Sequence, residues 1–337
     1  MTDVQQIASR QKCQLAAEGR PPFQFKTIPQ GAATSVWAAF VAPAEEVGGR
    51  YCEDSQVSQV TEGLISPVTP EGEQRIDYAA TLAHQCGAHL AGIHVVSAVR
   101  PEYRSDYYVI GEKAIRALLV ERKAADEAAT SNVRRRFEAI SAKRDLSAEF
   151  RVIRRGGPDE DITLSSLHSD LVMIGQRELQ ELKGYASPEK LLLSSGAPIL
   201  VIPSGWKSES VGNKILVGWN ASREARRAVA DALPFLVAAS SVTLLVVDSE
   251  ERAGRHGEEP GADIALYLAR HGARVEVEQV LSKGTPVADI ILSFARDHGM
   301  DLIVIGAYSH ARSVEMLFGG VTRTLLKLAP VPLLMSR

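Results

Sequence analysis

Glycines and small polar residues follow a buried strand near the end of the chain, and their spacing suits the binding of an anion. Gly306 ends the apolar run 302–305, and the adjacent pair Gly319 and Gly320 lies where a helix is expected to begin. Glycine lets a backbone approach a phosphate closely, and the first N–H groups of a helix have no partner within that helix. These residues, with Ser309 between them, therefore indicate a phosphate-binding loop.

The strand that precedes this loop occurs twice in the chain. Asp170-Leu-Val-Met-Ile-Gly175 and Asp301-Leu-Ile-Val-Ile-Gly306 share one pattern, and each is followed by a helix-like stretch and a second apolar run, at 198–202 or 332–335. Strands that alternate with helices predict parallel pairing, and such sheets bind ligands beyond the carboxyl ends of their strands. We therefore predict an α/β fold of two tandem open parallel-sheet, Rossmann-like domains.

The repeats set the expected boundaries. Residues 64–206 are predicted to form the first domain and 212–337 the second, while residues 1–63 belong to neither and form a poorly ordered appendage. The first domain lacks a clear opening strand, because its only candidate, Leu64-Ile-Ser-Pro-Val68, contains a proline that cannot donate to a ladder. In the second domain Ser222 is the expected cap of the helix that follows the first strand.

Composition excludes several classes of protein. The chain has 337 residues, a net charge of -3 and a pI near 6.3, so no basic face for nucleic acid or anionic lipid is expected. Its three cysteines lack the spacing of a zinc site or a redox dithiol, which favours a reducing compartment. No apolar run approaches the ~20 residues of a membrane span. We therefore expect a soluble cytoplasmic protein.

The stretch from Ile305-Gly306-Ala-Tyr-Ser309-His-Ala-Arg312 through Phe318-Gly319-Gly320-Val321-Thr322 to Ala329-Pro-Val-Pro-Leu-Leu334 resembles the nucleotide loop of universal stress proteins. With both repeats the resemblance spans about 67–337. It implies an adenine nucleotide alpha hydrolase-like fold and ATP as the ligand. The nucleotide-binding pattern of the family is Gly, two residues, Gly, nine residues, Gly, then Ser or Thr, and two of its four positions match here.

The resemblance assigns a set of binding residues to the second domain. Ser309 replaces the second glycine of the pattern, Gly320 replaces the hydroxyl residue although Thr322 lies close by, and Asn220 stands where the family has an aspartate near the ribose or adenine. These departures imply weak binding. The implied set is Asn220, the backbone at Val247 and Val321, Gly306, Ser309, Arg312 as a phosphate contact, Gly319 and Gly320.

The corresponding loop of the first domain is not expected to bind nucleotide. It carries Glu178 and Glu181, which would repel a triphosphate, and no glycine pair opens the following helix. In the family the last strands of two domains pair with each other. Residues 199–202 and 331–335 suit such a pairing inside one chain, which would make an intramolecular pseudo-dimer.

Residues 25–54 resemble a carboxyl-terminal fragment of short-chain dehydrogenases, in Lys26-Thr27, Gln30-Gly31-Ala-Ala-Thr-Ser-Val-Trp37 and Gly48-Gly49-Arg-Tyr-Cys-Glu-Asp54. The chain has no Gly-x-Gly-x-x-Gly turn and no tyrosine followed four positions later by lysine, so the machinery of hydride transfer is missing. An oxidoreductase remnant is therefore the third and most distant hypothesis.

Other catalytic or metal-binding arrangements are not favoured. His84, His89 and His94 fall on a helix and the next strand rather than on one face, so we expect no metal site. Ser309 and His310 have no acidic partner for a triad. Without a base or nucleophile we expect no enzyme, beyond slow hydrolysis of any bound ATP.

Two hypotheses remain for the function. The first is a stress-response sensor or adaptor whose second domain binds ATP weakly, and the second is a stress-response scaffold that binds no nucleotide. Both involve protein partners that the sequence does not identify, and association of two chains into a homo-dimer stays open. Neither involves nucleic acid or a membrane.

Overall fold

The computed structural model describes residues 59–63, 70–96, 112–154, 165–176, 191–192, 195–208, 211–248, 259–307 and 320–337, which all lie in one compact unit spanning 57–337. The first half contains β1 (Gln59–Gly63), α1 (Pro70–Cys86), β2 (His89–Val96), α2 (Glu112–Lys143), β3 (Ala148–Arg154), β4 (Leu171–Gly175) and β5 (Ile199–Ile202). The second half contains β6 (Lys214–Trp219), α3 (Arg223–Asp231), α4 (Leu233–Ala238), β7 (Ser241–Val247), α5 (Ala262–Arg270), β8 (Val275–Val280), α6 (Val287–Asp297), β9 (Leu302–Gly306), α7 (Gly320–Leu328) and β10 (Leu333–Ser336). The segment with the dehydrogenase resemblance lies outside the described residues.

The ten strands form one sheet in the order β3-β2-β1-β4-β5-β10-β9-β6-β7-β8. Every neighbouring pair is parallel except β5 and β10, which are antiparallel. Each half therefore has the same strand order from its outer edge to the middle of the sheet. The pairing expected between residues 199–202 and the terminal strand is present, with Leu200 opposite Leu334.

Two apolar layers cover the sheet, one on each face. Helices α1, α2, α3 and α5 pack on one face and α6 and α7 on the other. The central strands β4 and β9 are apolar along their whole length because both of their faces are buried. Helix α1 buries an apolar stripe of Ile76, Ala79, Ala80 and Ala83, which recur at helical spacing in the sequence. Among the described helices, none has the length and apolar character that crossing a membrane requires.

The prediction for the opening strand of the first half was wrong. The strand is β1, five residues earlier than Leu64-Ile-Ser-Pro-Val68 and on the other side of the boundary placed at residue 64. Its sequence, Gln-Val-Thr-Glu-Gly, lacks the apolar run that marks β4 and β9. Backbone ladders to β2 on one edge and β4 on the other define it as a strand. Pairing with two neighbouring strands therefore makes these residues a strand, although their own sequence gives little indication of one.

Candidate nucleotide-binding edge

Three of the predicted site residues lie along one edge of the second half. From β6 the chain adds β7 and then β8 on one side of β6, and it then returns to place β9 on the other side. The strand order therefore reverses between β6 and β9, although the two strands are parallel. The ladders place Gly218 opposite Ile305 and Trp219 opposite Val246. Asn220, Val247 and Gly306 therefore end three adjacent strands at the same edge, where open α/β sheets bind ligands.

A tight turn joins β6 to α3 at this edge. The Asn220 side-chain oxygen accepts a hydrogen bond from the Ser222 backbone N–H at 3.2 Å, and Ala221 between them has φ +52. The Ser222 hydroxyl in turn accepts from Ala225 N–H at 3.1 Å and caps α3, as its sequence predicts. Asn220 therefore already uses its amide oxygen to shape the turn, so part of its role is structural.

The first turn of α3 lies directly against Gly306. A Cβ at Gly306 would lie 2.7 Å from the Ala225 Cα, and closer still to the Ala225 nitrogen and the Glu224 carbonyl carbon. All three are backbone atoms, which cannot rotate away. The sequence interpretation assigned this glycine to the approach of a phosphate, whereas the approach of α3 is by itself sufficient to require glycine here.

The described part of helix α7 starts at Gly320, and the residues just before it lie outside the described part of the chain. Gly320 is exposed, and a Cβ there would have no atom of the described residues within 4 Å. Val321 is half-buried and Thr322 is 4% exposed. The Thr322 hydroxyl therefore lies inside the fold and does not replace the exposed hydroxyl that Gly320 lacks. Ser309, His310, Arg312 and Gly319 lie outside the described residues, as do Glu178 and Glu181.

The loops after β7 and β8 add residues that the sequence interpretation missed. The Asp248 carboxylate accepts from the Ser282 N–H at 2.7 Å and so ties these two loops together. Asp248 and Lys283 both have positive φ, at +53 and +47. The sequence does carry a signal for this turn, namely an aspartate directly after a strand. Aspartate tolerates the left-handed region of backbone conformation, and its carboxylate accepts hydrogen bonds from nearby backbone N–H groups.

The residue that follows β4 in the first half uses its side chain to bond to both halves of the sheet. Gln176 follows Gly175, and its amide nitrogen donates to the Leu326 carbonyl near the end of α7 at 3.0 Å, while its oxygen accepts from the Ser204 N–H at 3.4 Å. Gln176 therefore bridges the two halves of the sheet. In the second half Ala307 holds the corresponding position and donates only through its backbone, to Ser336 at 2.8 Å.

Metal-ligating side chains do not cluster in the part of the chain that the structure describes. His84 is exposed on α1, His89 hydrogen-bonds with Ser147 at 2.8 Å, and His94 is 6% exposed. Cys86 is a free thiol near the end of α1, and burial raises its pKa. Cys13 and Cys52 lie outside the described residues.

Asp231 at the end of α3 is expected to make stability depend on pH. Burial raises the pKa of this carboxyl, while hydrogen bonds and charge from Arg227, Ser336 and Arg226 oppose the rise. The folded state therefore holds the proton more tightly than the unfolded chain, so the contribution of Asp231 to stability falls as pH rises from 3.8 through its raised pKa. Asp231→Asn should remove this decrease in the free energy of unfolding, which urea unfolding at pH 4 and pH 6.5 measures.

The exposed Asp263→Asn is the control and should keep the pH dependence of the wild type. If the free energy of unfolding changed equally with pH in wild type, Asp231→Asn and Asp263→Asn, the role of Asp231 in the pH dependence would be contradicted.

Comparison with known proteins identifies the second half. The universal stress protein family model matches residues 212–337. These residues form a universal stress protein family domain. A universal stress protein of Synechocystis is 24% identical over 177 residues, a match that covers 50% of this chain and 58% of the relative. The chain thus aligns with little more than half of that relative.

Solved structures extend the likeness in fold beyond the universal stress protein domain. A universal stress protein from Archaeoglobus fulgidus superposes with a TM-score of 0.59 at 16% identity, over 84% of this chain and 97% of that one. A putative universal stress protein from Pseudomonas aeruginosa gives a TM-score of 0.50 at 16% identity, over 83% and 94%. Both matches reach well past the universal stress protein domain, so the α/β fold with a parallel sheet is shared by both halves.

Proposed function

We propose that the chain is a tandem universal stress protein that acts as a stress-response sensor or adaptor in the cytoplasm. The first domain would be residues 64–206 together with β1, and the second would be 212–337. The identical strand order of the halves and the antiparallel pairing of β5 with β10 support a pseudo-dimer within one chain. The proposal includes no catalytic residue, and its protein partners are unidentified.

The second domain is proposed to bind ATP weakly. The observation that carries this proposal is that Asn220, Val247 and Gly306 meet at one edge, where the strand order reverses. Gly320, the first described residue of α7, is exposed. The N–H groups at the start of α7 suit phosphate oxygens. Ser309, Arg312, Gly319 and the Val321 backbone complete the proposed site.

Two substitutions at Gly320 should change the affinity for ATP while leaving the free energy of unfolding nearly unchanged. Gly320→Ser restores the hydroxyl of the family pattern and should tighten ATP binding about fivefold, because one hydrogen bond contributes about 1 kcal/mol. Gly320→Asp places a negative charge at the phosphates and should weaken binding more than about tenfold. The same carboxylate favours the start of a helix, so the variant should remain folded. Titration calorimetry with ATP measures both effects.

Two results would contradict the nucleotide proposal. One is the absence of any thermal shift in the wild-type protein at millimolar ATP, and the other is equal ATP affinity of the Ser and Asp variants. The second candidate function, a scaffold without nucleotide, would then be preferred. Glu224 favours this alternative, because its side chain is only 11% exposed in the turn of α3 that lies against Gly306. A carboxylate there opposes the approach of a triphosphate.

A further inference from the structure

The two outer strands of the sheet each have a strand neighbour on one side only, within the part of the chain that the structure describes. β3 ends the sheet in the first half and pairs with β2, and β8 ends it in the second half and pairs with β7. In general, an outer strand offers backbone N–H and C=O groups to a strand of another chain. Both outer strands are therefore possible surfaces for association.

The direction of the β3 backbone shows which of its residues face outward. The Leu90 N–H of β2 donates to the Ser147 carbonyl, directly before β3, at 2.9 Å. Backbone groups alternate in direction along a strand, and the pairing of β2 with β3 continues in register to the end of β3. The backbone groups that point away from the sheet are therefore those of Ala148, Phe150 and Val152.

Opposite charges lie on either side of Phe150 in β3. Glu149 and Arg151 share the face of the strand away from α2, are 38% and 47% exposed, and are hydrogen-bonded to each other. Phe150 lies on the face that α2 covers, where the Arg134 guanidinium is 4.7 Å from the centre of its ring and pairs with Glu138 at 3.8 Å. Each of these two ion pairs adds no net charge beside Phe150.

A two-fold axis at Phe150 would place these charges opposite their complements in a second copy of the chain. In an antiparallel pair centred on Phe150, position 149 of one copy lies opposite position 151 of the other, because both are one residue from the centre. Each Glu149 then faces an Arg151 across the junction. The four charges alternate in sign, and cross-strand pairs of opposite charge stabilise antiparallel strands.

Charge also disfavours the other ways in which two copies could pair their outer strands. A centre at Glu149 or at Arg151 would place two like charges directly opposite each other. In β8 the corresponding residues are Glu276 and Glu278, so an antiparallel pair centred on Val277 would bring four carboxylates together. Like charges directly opposite destabilise paired strands. Association of two copies is therefore favoured through β3 and disfavoured through β8.

We propose that two copies of this chain form a symmetric dimer through β3, which joins their ten-stranded sheets into one. The dimer goes beyond the proposed function, involves no residue of the proposed nucleotide site and keeps the pairing of β5 with β10 within each copy. Because a single pair of strands is a small interface, its dissociation constant is expected to be about 10 µM.

Sedimentation velocity of the full chain tests this dimer. Wild type should be mainly dimeric at about 100 µM and dissociate on dilution. Arg151→Glu places four carboxylates at the junction and Glu149→Arg places four guanidinium groups there, so each should weaken dimerisation at least about tenfold. Circular dichroism confirms that each variant is folded.

An equimolar mixture of the two single variants separates charge pairing from damage to the fold. In a mixed pair the two carboxylates of one copy face the two guanidinium groups of the other, so the mixture should dimerise more tightly than either variant alone. The matched control is Arg274→Glu, which makes the same change of charge at an exposed residue directly before β8 and should dimerise as wild type does.

Four results would overturn the proposal. They are a wild type that stays monomeric at about 100 µM, unchanged dimerisation in Arg151→Glu and Glu149→Arg, a mixture that dimerises no more tightly than the separate variants, and an equal loss of dimer in Arg274→Glu.

Discussion

Gly306→Ala should destabilise the protein by about 3 kcal/mol or more, the upper end of what overpacking costs. The added methyl would lie 2.7 Å from the Ala225 Cα and closer to two other backbone atoms of α3. Side-chain rotation cannot relieve a contact with backbone, so either α3 or β9 must move. Urea unfolding followed by circular dichroism measures the loss.

Gly320→Ala is the matched control for that substitution. It adds the same methyl group at the first described residue of α7, where no atom of the described residues lies within 4 Å. Alanine favours helix over glycine by roughly 1 kcal/mol in a helix interior and by less at an end, so this variant should be neutral or slightly more stable. Similar unfolding midpoints for the two variants would show that α3 does not require glycine at position 306.

Leu334→Ala should cost about 2–5 kcal/mol, because it removes a fully buried side chain at the junction of the two halves. Leu334 is 0% exposed and lies opposite Leu200, which is 1% exposed, in the antiparallel pairing of β10 with β5. The lost contacts lie on the face that α1 covers. Chemical unfolding should show the loss as a lower midpoint.

Leu328→Ala provides the comparison at the surface. Leu328 is 61% exposed at the end of α7, so its truncation should change stability by no more than about 0.5 kcal/mol. If the Leu334 and Leu328 variants unfolded at the same denaturant concentration, the pairing of β5 with β10 would contribute little to holding the halves together.

Most of the α/β pattern could be predicted from local sequence. Strands β4 and β9 are continuous apolar runs because both faces are buried, and the Ser222 cap and the α1 stripe follow from local spacing. β1 could not be recognised in this way. Its sequence is polar, and only its two ladder neighbours determine that it is a strand.

The site was predicted less completely, because its decisive contacts join residues distant in sequence. The pattern indicated Gly306 but not that α3, about 80 residues earlier, would lie against it. Gln176 bonds to a carbonyl 150 positions away, and Asp248 to a loop 34 positions away. Local spacing carries no information about such pairs, and they appear only once the strand order is known.

Mass spectrometry of the small molecules released when freshly purified protein is denatured tests nucleotide binding most directly. This measurement needs no choice of ligand beforehand. We expect an adenine nucleotide to be released from the wild-type protein, in a larger amount from Gly320→Ser and in a much smaller amount from Gly320→Asp. Release of no nucleotide from wild type or Gly320→Ser, or equal release from Gly320→Ser and Gly320→Asp, would contradict nucleotide binding at the edge formed by β6, β7 and β9.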